Sequence, residues 1–201
     1  GELFVFEVED PAQMDLQQTW EDEIVVDSKL NNSNDVVIEI YAEDNALNSS
    51  EDKVSIKIDI TDPAIDVTYD NNAADSNSFF KANRTATIVV TERNFNQADI
   101  ESKIVITNTD GAAPTISAWT KKEGTGNLDD TTWTAKVVYN KDGDYTFDIA
   151  CADLAGNECK SEDVNYGDSV APTAFTIDKT IPVIAVAYDN NSAMNGNYYK
   201  A

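Results

Sequence analysis

The stretch "DGDYTFDIAC" (Asp142–Cys151) decides the fold class. Its side chains alternate, with one phase apolar: Tyr145, Phe147, Ile149 and Cys151. A period of two predicts a β-strand with one buried and one solvated face. Gly143 forms a corner just before Tyr145, which is typical of the tyrosine corner of Greek-key sandwiches. In that corner the tyrosine hydroxyl bonds to backbone a few residues upstream.

The same alternation recurs along most of the chain. It covers Val54–Ile60, Thr85–Val90 and Trp133–Tyr139, and turn signals rich in Asn, Asp and Gly separate the runs. Only Asn96–Lys103 leaves room for one short helical turn. Roughly seven short strands per module predict an all-β fold of tandem Ig-like Greek-key β-sandwich modules.

Two internal correspondences define a repeated module. "PAIDVTYDNNAADSNSFFKA" (Pro63–Ala82) matches "PVIAVAYDNNSAMNGNYYKA" (Pro182–Ala201) at 10 of 20 positions, with an offset of 119 residues. "DVVIEIYAEDNALN" (Asp35–Asn48) corresponds to "DYTFDIACADLAGN" (Asp144–Asn157). Further back, "WEDEIVV" (Trp20–Val26) lies opposite "WTAKVVY" (Trp133–Tyr139). Repetition at a fixed period predicts a modular array.

The repeat predicts one complete module and two partial ones. Residues 1–60 are expected to be the C-terminal part of an Ig-like module, and residues 61–178 a complete module. Residues 179–201 are expected to be the first strand of a further module. We therefore expect the chain to be a segment of a longer repeat protein.

The composition excludes several classes of function. The chain has 14 Lys and Arg against 37 Asp and Glu, a net charge of −23, which disfavours nucleic acid and anionic lipid as partners. It has no histidine, so Ser–His and Cys–His nucleophile pairs cannot form within it. No apolar run reaches the roughly 20 residues that a membrane helix needs, so no membrane insertion is predicted in this segment. A glycosidase would need paired carboxylates in a cleft, and the sequence contains no insertion that would form one. We therefore expect that the chain is not an enzyme.

A family resemblance is carried by "DLAGN" (Asp153–Asn157), a following strand, and "IDKTIP" (Ile177–Pro182). This order resembles the D-x-A-G-N … D-x-T-x-P signature of bacterial Ig-like repeats in large cell-surface and secreted proteins. "RTATIVVTERNF" (Arg84–Phe95), "YDNN" and "YYKA" resemble a subtype in long surface proteins of Gram-positive gut bacteria. The resemblance implies an extracellular or cell-surface location and a structural stalk or spacer whose partners are neighbouring Ig-like modules of the same chain. Two alternatives stay open: an adhesin module that binds a glycan or host protein, or an accessory region of a secreted polysaccharide-degrading enzyme.

The resemblance also implies Ca²⁺ near module junctions in some such arrays. The candidate ligands are Asp153, Asn157 and Asp178 at one junction, and Asp44, Asn48, Asp59 and Asp62 at the other. Calcium takes six to eight oxygen ligands, which carboxylates and Asn carbonyls can supply. In the alternative interpretation, Asp153 and Asn157 cap the turn by bonding local backbone. No other cofactor is predicted.

Cys151 and Cys159 are equidistant from Ala155, so a hairpin centred there places them directly opposite. Opposed strand positions can satisfy disulfide geometry, and export favours the bond. Two buried free thiols in contact are the alternative. Redox catalysis would need C-x-x-C spacing, and a zinc site would need more Cys or His than the chain has.

Two further expectations concern side-chain placement. The aromatic residues Phe79, Phe80, Trp119, Trp133, Tyr139, Tyr198 and Tyr199 lie in or at the start of strands, where core packing is expected rather than a carbohydrate platform. Leu47 stands where the other copy has Gly156. A left-handed Gly156 would make Leu47 strained in the same role, so we expect a loop of different shape at Asp44–Asn48.

Overall fold

The computed structural model describes residues 33–126, 128–190 and 192–200. The chain divides into two compact units, Gly1–Ile58 and Asp59–Ala201. The division falls two residues before the boundary that the repeat predicts. The segment Trp20–Val26, which corresponds in the repeat to Trp133–Tyr139, lies outside the described residues.

In the first unit the described residues form one antiparallel hairpin of β1 (Ser33–Glu43) and β2 (Ser49–Ile58). Val36 pairs with Ile56 and Ile38 pairs with Val54. Residues directly opposite in an antiparallel pair share a face, so these four apolar side chains lie on one side of the hairpin.

The second unit is built from two four-stranded sheets. The strands are β3 (Ala64–Tyr69), β4 (Phe79–Phe80), β5 (Arg84–Thr91), β6 (Val105–Asn108), β7 (Thr120–Lys122), β8 (Thr132–Tyr139), β9 (Gly143–Asp148) and β12 (Ala174–Ile177). The orders in the two sheets are β3-β5-β8-β7 and β4-β12-β9-β6, and all neighbours are antiparallel except β4 and β12. The prediction of an all-β sandwich is confirmed.

Short elements complete the second unit. A small hairpin pairs β10 (Cys151–Ala152) with β11 (Glu158–Cys159), and another pairs β13 (Ala193–Asn195) with β14 (Tyr198–Tyr199). The only α-helix among the described residues is α1 (Gln97–Lys103), at the position where the sequence leaves room for one turn. Asn96 caps it, because its side-chain oxygen accepts a hydrogen bond from the Asp99 amide at 3.2 Å.

The core lies between the two sheets and takes the apolar phase of each strand. Burying each large apolar side chain contributes about 1.5–3 kcal/mol relative to leaving it in water. The buried cluster comprises Ile65, Val67, Tyr69, Phe80, Ala86, Ile88, Val90, Ile100, Val137, Tyr139, Tyr145, Phe147, Ile149, Cys151, Cys159, Val164, Phe175 and Ile177. The alternation that predicts the strands therefore also identifies the side chains that hold the sheets together.

The tyrosine corner is present. The Tyr145 hydroxyl donates a hydrogen bond to the backbone carbonyl of Lys141 at 2.9 Å. Gly143 has φ 150°, and a Cβ at this position would lie 2.2 Å from Oδ1 of Asn108. Only glycine fits there, which explains the corner that precedes Tyr145.

Residues 182–190 differ in structure from residues 63–71, to which the sequence repeat relates them. Ile184, Val186 and Tyr188 correspond to the buried residues of β3, yet all three are exposed and no strand forms over residues 182–190. β3 itself is paired along its length with β5. The described residues after 178 supply no counterpart of β5, which accounts for the missing strand.

Candidate functional site

The Asp153–Asn157 turn is organised around one carboxylate. Oδ1 of Asp153 accepts hydrogen bonds from the amides of Ala155 (2.8 Å), Gly156 (2.6 Å) and Asn157 (2.9 Å). Oδ2 accepts from Nδ2 of Asn157 at 2.8 Å. These are the local bonds of the turn-capping interpretation, so this carboxylate rigidifies the loop that joins β10 and β11.

The matching loop of the first unit has the same design. Oδ1 of Asp44 accepts from the amides of Ala46 and Asn48, and Oδ2 accepts from Nδ2 of Asn48 at 2.8 Å. Leu47 has φ 67° and Gly156 has φ 95°, so both residues are left-handed. The expectation of a differently shaped loop is wrong. The side-chain and backbone bonds of Asp44 and Asn48 impose the turn despite the strain at Leu47.

Three carboxylates meet beside the linker that precedes β3. One oxygen from each of Asp59, Glu92 and Asp153 lies within 4.8 Å of the others. Ala64 of β3 pairs with Thr91 of β5, so residues before β3 and after β5 lie at the same end of that sheet. Glu92 is 3% exposed and Asp153 4% exposed, so two of the three carboxylates are removed from solvent.

Two asparagine amides tie the linker to this cluster. Nδ2 of Asn94 donates to Oδ2 of Asp59, and Nδ2 of Asn157 donates to the Asp59 backbone carbonyl at 3.2 Å. The amide of Asn94 donates to Oε1 of Glu92 at 2.6 Å. The amide of Leu154 donates to the Asn94 carbonyl at 2.9 Å, which joins the two loops. Asp59 is thus held by two loops of the second unit.

Glu92 carries the strongest electrostatic perturbation in the cluster. Burial, together with the negative charges of Asp59, Asp153 and Asp129, raises its pKa to about 7, against the opposing effect of the hydrogen bond from the Asn94 amide. Like charges in a site of low dielectric disfavour simultaneous ionisation. The cluster therefore favours a protonated Glu92 at mildly acidic pH.

Glu92 and Asn94 were not among the sequence candidates. A signal for Glu92 exists, however, because it continues the buried phase of β5 through Ala86, Ile88 and Val90. A carboxylate on that phase must be neutralised or satisfied by hydrogen bonds.

The structure brings only part of the predicted calcium set together. Asp59, Asp153 and Asn157 meet, whereas Asp62 is not in the cluster and Asp44 and Asn48 belong to the other unit. Asp178 does not join Asp153 and Asn157. It follows β12 at the end where Ile177 pairs with Gly143, the first residue of β9, whereas Asp153 follows the other end of that strand. Its amide donates to the Phe80 carbonyl at 3.0 Å.

The cluster offers few of the oxygens that calcium requires. It presents three carboxylates. Asn94 and Asn157 both direct a side-chain N–H group, and not the side-chain carbonyl oxygen, toward Asp59. Calcium takes six to eight oxygen ligands. The calcium site at the junction stays a prediction, and these residues are the ones that would hold it.

Cys151 and Cys159 stand directly opposite in the β10–β11 pair, and both are buried. Both thiols are free in this structure, and the disulfide stays a prediction. Burial, with a smaller contribution from the neighbouring Cys159, raises the pKa of Cys151 to about 12. Because the thiolate is the nucleophile, this thiol is unreactive at neutral pH.

The tryptophans of the second unit form an internal aromatic cluster. The Phe95 ring stacks on Trp133 with centroids 4.7 Å apart and meets Trp119 edge-on at 5.0 Å. All three are partly buried against the core. Phe80 and Tyr139 are fully buried, whereas Phe79, Tyr198 and Tyr199 are exposed. The expected core packing is thus found for Phe80, Trp119, Trp133 and Tyr139, and not for the three exposed rings.

No helix among the described residues is long and apolar enough to cross a bilayer. Comparison of the chain with protein-family models, curated proteins and solved structures finds no match.

Proposed function

We propose that the chain is a non-catalytic, tandem Ig-like segment that serves as a structural stalk or spacer of a bacterial surface or secreted protein. The observation that carries the proposal is the set of bonds at the linker Asp178–Thr180. Nζ of Lys179 donates to the Asn140 carbonyl at 2.8 Å, and Oγ1 of Thr180 donates to Oδ2 of Asp142 at 2.7 Å. The module before the linker therefore holds the linker's first residues.

The linker position is also held by the module that follows. Asp59 occupies the position of Asp178 one repeat earlier, and it is bonded by Asn94 and Asn157. In a repeating array the same linker position is then held from both sides. A linker fixed at both ends is stiff, and stiffness distinguishes a spacer from a flexible tether.

The tryptophans of the second unit do not favour the adhesin alternative. A carbohydrate platform needs exposed, coplanar rings, whereas Trp119 and Trp133 pack with Phe95 against the core. The excess of acidic residues, 37 against 14 basic ones, instead suits a spacer whose similar modules must not associate with one another.

Rotational diffusion of the whole chain tests the spacer function. In ¹⁵N relaxation measurements we expect the two units to share one correlation time. Replacing Asp59 with Ala removes the carboxylate that Asn94 binds, and the correlation times should then separate. Asp168→Ala is the matched control, because Asp168 is exposed and its carboxylate accepts no hydrogen bond from a described residue. Two correlation times in the unaltered chain would refute a stiff spacer.

A further inference from the structure

The β1–β2 hairpin of the first unit reproduces the pairing of β9 with β12 in the second unit. The motifs "IDITDP" and "IDKTIP", which end the two modules, place Ile56 at the position of Phe175. The repeat likewise places Val36 at the position of Tyr145. Val36 pairs with Ile56, just as Tyr145 pairs with Phe175. The hairpin therefore has the register of the two inner strands of a complete sheet.

In the second unit the outer edge of β12 is covered by β4. The amide of Thr176 donates to the Ser78 carbonyl at 2.9 Å, and the amide of Asp178 donates to the Phe80 carbonyl at 3.0 Å. Phe80 lies in the core, where its ring meets Phe175 edge-on at 5.9 Å. Among the described residues of the first unit, β2 pairs with β1 alone. The equivalent edge of β2 therefore presents backbone groups to which another strand can bond.

The strand β14 corresponds to β4. The repeat places Tyr198 at the position of Phe79 and Tyr199 at the position of Phe80. Phe80 is 1% exposed, whereas Tyr199 is 56% exposed. In the part of the chain that the structure describes, β14 pairs only with β13. The chain thus carries a β4-type strand whose inward-phase ring is not buried.

The segment that corresponds to β3 offers a second apolar ring. Tyr188 occupies the position of Tyr69, whose ring meets Phe175 edge-on at 5.9 Å. Tyr188 itself is 73% exposed. Since Ile56 stands at the position of Phe175, a sandwich completed on the hairpin brings Tyr188 and Tyr199 against Ile56. We call residues 182–190 and 192–200 the C-terminal segment.

We propose that the C-terminal segment of one molecule docks on the β1–β2 hairpin of a second molecule of this chain. β14 adds in parallel to the open edge of β2, with Tyr198 beside Lys57 and Tyr199 beside Ile58, which is the register of β4 on β12. Tyr188 and Tyr199 cover the apolar face of the hairpin. Strand addition is a mode of recognition in which backbone bonds give affinity and side-chain contacts give specificity. The apolar face comprises Val36, Ile38, Val54 and Ile56.

The path of the chain through the second unit favours a second molecule as the partner. The chain enters the sandwich at Ala64, which pairs with Thr91 at the end of β5. It leaves at Lys179, which donates to the carbonyl of Asn140, and Asn140 follows β8 at the end where β5 begins. β5 has 8 residues and spans roughly 27 Å. The C-terminal segment therefore starts at the end of the sandwich opposite to the one that Ile58 precedes.

The charge of the chain opposes the association. Each molecule has a net charge of −23, so two molecules repel one another. Salt screens this repulsion. We therefore expect a weak association that strengthens as the NaCl concentration rises.

Sedimentation velocity of the full chain in about 0.5 M NaCl tests the docking. The weight-average sedimentation coefficient should rise with protein concentration. Tyr199→Ala removes the ring that enters the apolar face and should raise the dissociation constant about tenfold. Tyr198→Ala is the matched control and should change it less than about twofold, because the equivalent Phe79 stays 51% exposed beside β12. Equal effects of the two variants, or a monomer at every concentration, would overturn the proposal.

NMR spectra of mixed molecules locate the contact. One molecule carries ¹⁵N, and the other carries a nitroxide on Ser192→Cys, next to β13; Cys151 and Cys159 are buried and should not take the label. The amides of residues 55–58 should broaden, and a nitroxide on Ser102→Cys should leave them unchanged. Broadening only when both labels are on the same molecule would show a contact within one chain and would overturn the proposal. The spacer test compares the two units of single molecules at low concentration, so either proposal can fail without the other.

Discussion

The guanidinium carbon of Arg84 lies 3.8 Å from the centroid of the Tyr69 ring, at a position where Arg84 is 0% exposed. The rings of Phe80 and Phe175 lie 4.2 and 4.6 Å from the same carbon. The hydrogen-bond acceptors of the guanidinium are carbonyl oxygens, including those of Asn71 at 2.9 Å and Ala171 at 3.0 Å. A charge is thus accommodated in the core by ring faces and carbonyl dipoles.

Replacing Arg84 with Lys should destabilise the second unit by about 2–4 kcal/mol. The ammonium lacks the planar face that contacts the rings and cannot reach all of the carbonyl acceptors. Urea unfolding followed by the NMR signals of β5 measures the change. Lys81→Arg is the control, because Lys81 forms an exposed ion pair with Asp75 and the exchange should cost less than about 0.5 kcal/mol. A cost for Arg84→Lys as small as that of the control would show that the ring and carbonyl contacts contribute little.

The tyrosine corner gives a prediction with an internal control. Tyr145→Phe removes the hydrogen bond to the Lys141 carbonyl and should lower the free energy of unfolding by about 1 kcal/mol. The Tyr139 hydroxyl is buried and forms no hydrogen bond with a described residue, so Tyr139→Phe should be neutral or stabilising. The same urea titrations measure both variants. Equal losses for the two variants would contradict the assigned role of the Tyr145 hydroxyl.

The strands could be predicted from the sequence because one physical cause, a single buried face, produces a period of two. The same alternation contained the signal for Arg84 and Glu92, which lie on the buried phase of β5 at its start and just beyond its end. The alternation could not, however, show which groups surround these two buried side chains. The carbonyls around Arg84 and the carboxylates around Glu92 come from loops distant in sequence, such as Val170–Ala171 and Asp153.

The prediction that the loops Asp44–Asn48 and Asp153–Asn157 differ in shape is wrong for a related reason. Backbone preference alone disfavours a left-handed Leu47, but the bonds that Asp44 makes across the loop outweigh it. The sequence alone could not place Asp178, because sequence order does not show at which end of a sandwich a strand finishes. The pairing of Ile177 with Gly143 decides that.

Exchanging the residues at the left-handed positions should move stability in opposite directions. Leu47→Gly relieves a strained φ at an exposed side chain and should stabilise the first hairpin by about 1 kcal/mol. Gly156→Ala introduces that strain and should destabilise the β10–β11 loop by about 1 kcal/mol, although no atom crowds the new Cβ. Amide hydrogen exchange of the two loops measures both changes. Changes of the same sign would refute the strain argument.

The cysteine pair should resist modification in the folded protein. Both thiols are buried, and the raised pKa of Cys151 leaves almost no thiolate at pH 8, so labelling with a disulfide reagent should be much slower than in urea. A Ser102→Cys variant supplies an exposed thiol as the control. After mild oxidation, intact mass should show the loss of two hydrogens, because Cys151 and Cys159 are paired across the hairpin. Fast labelling of the folded chain, or oxidation that joins separate chains, would contradict the buried, opposed arrangement.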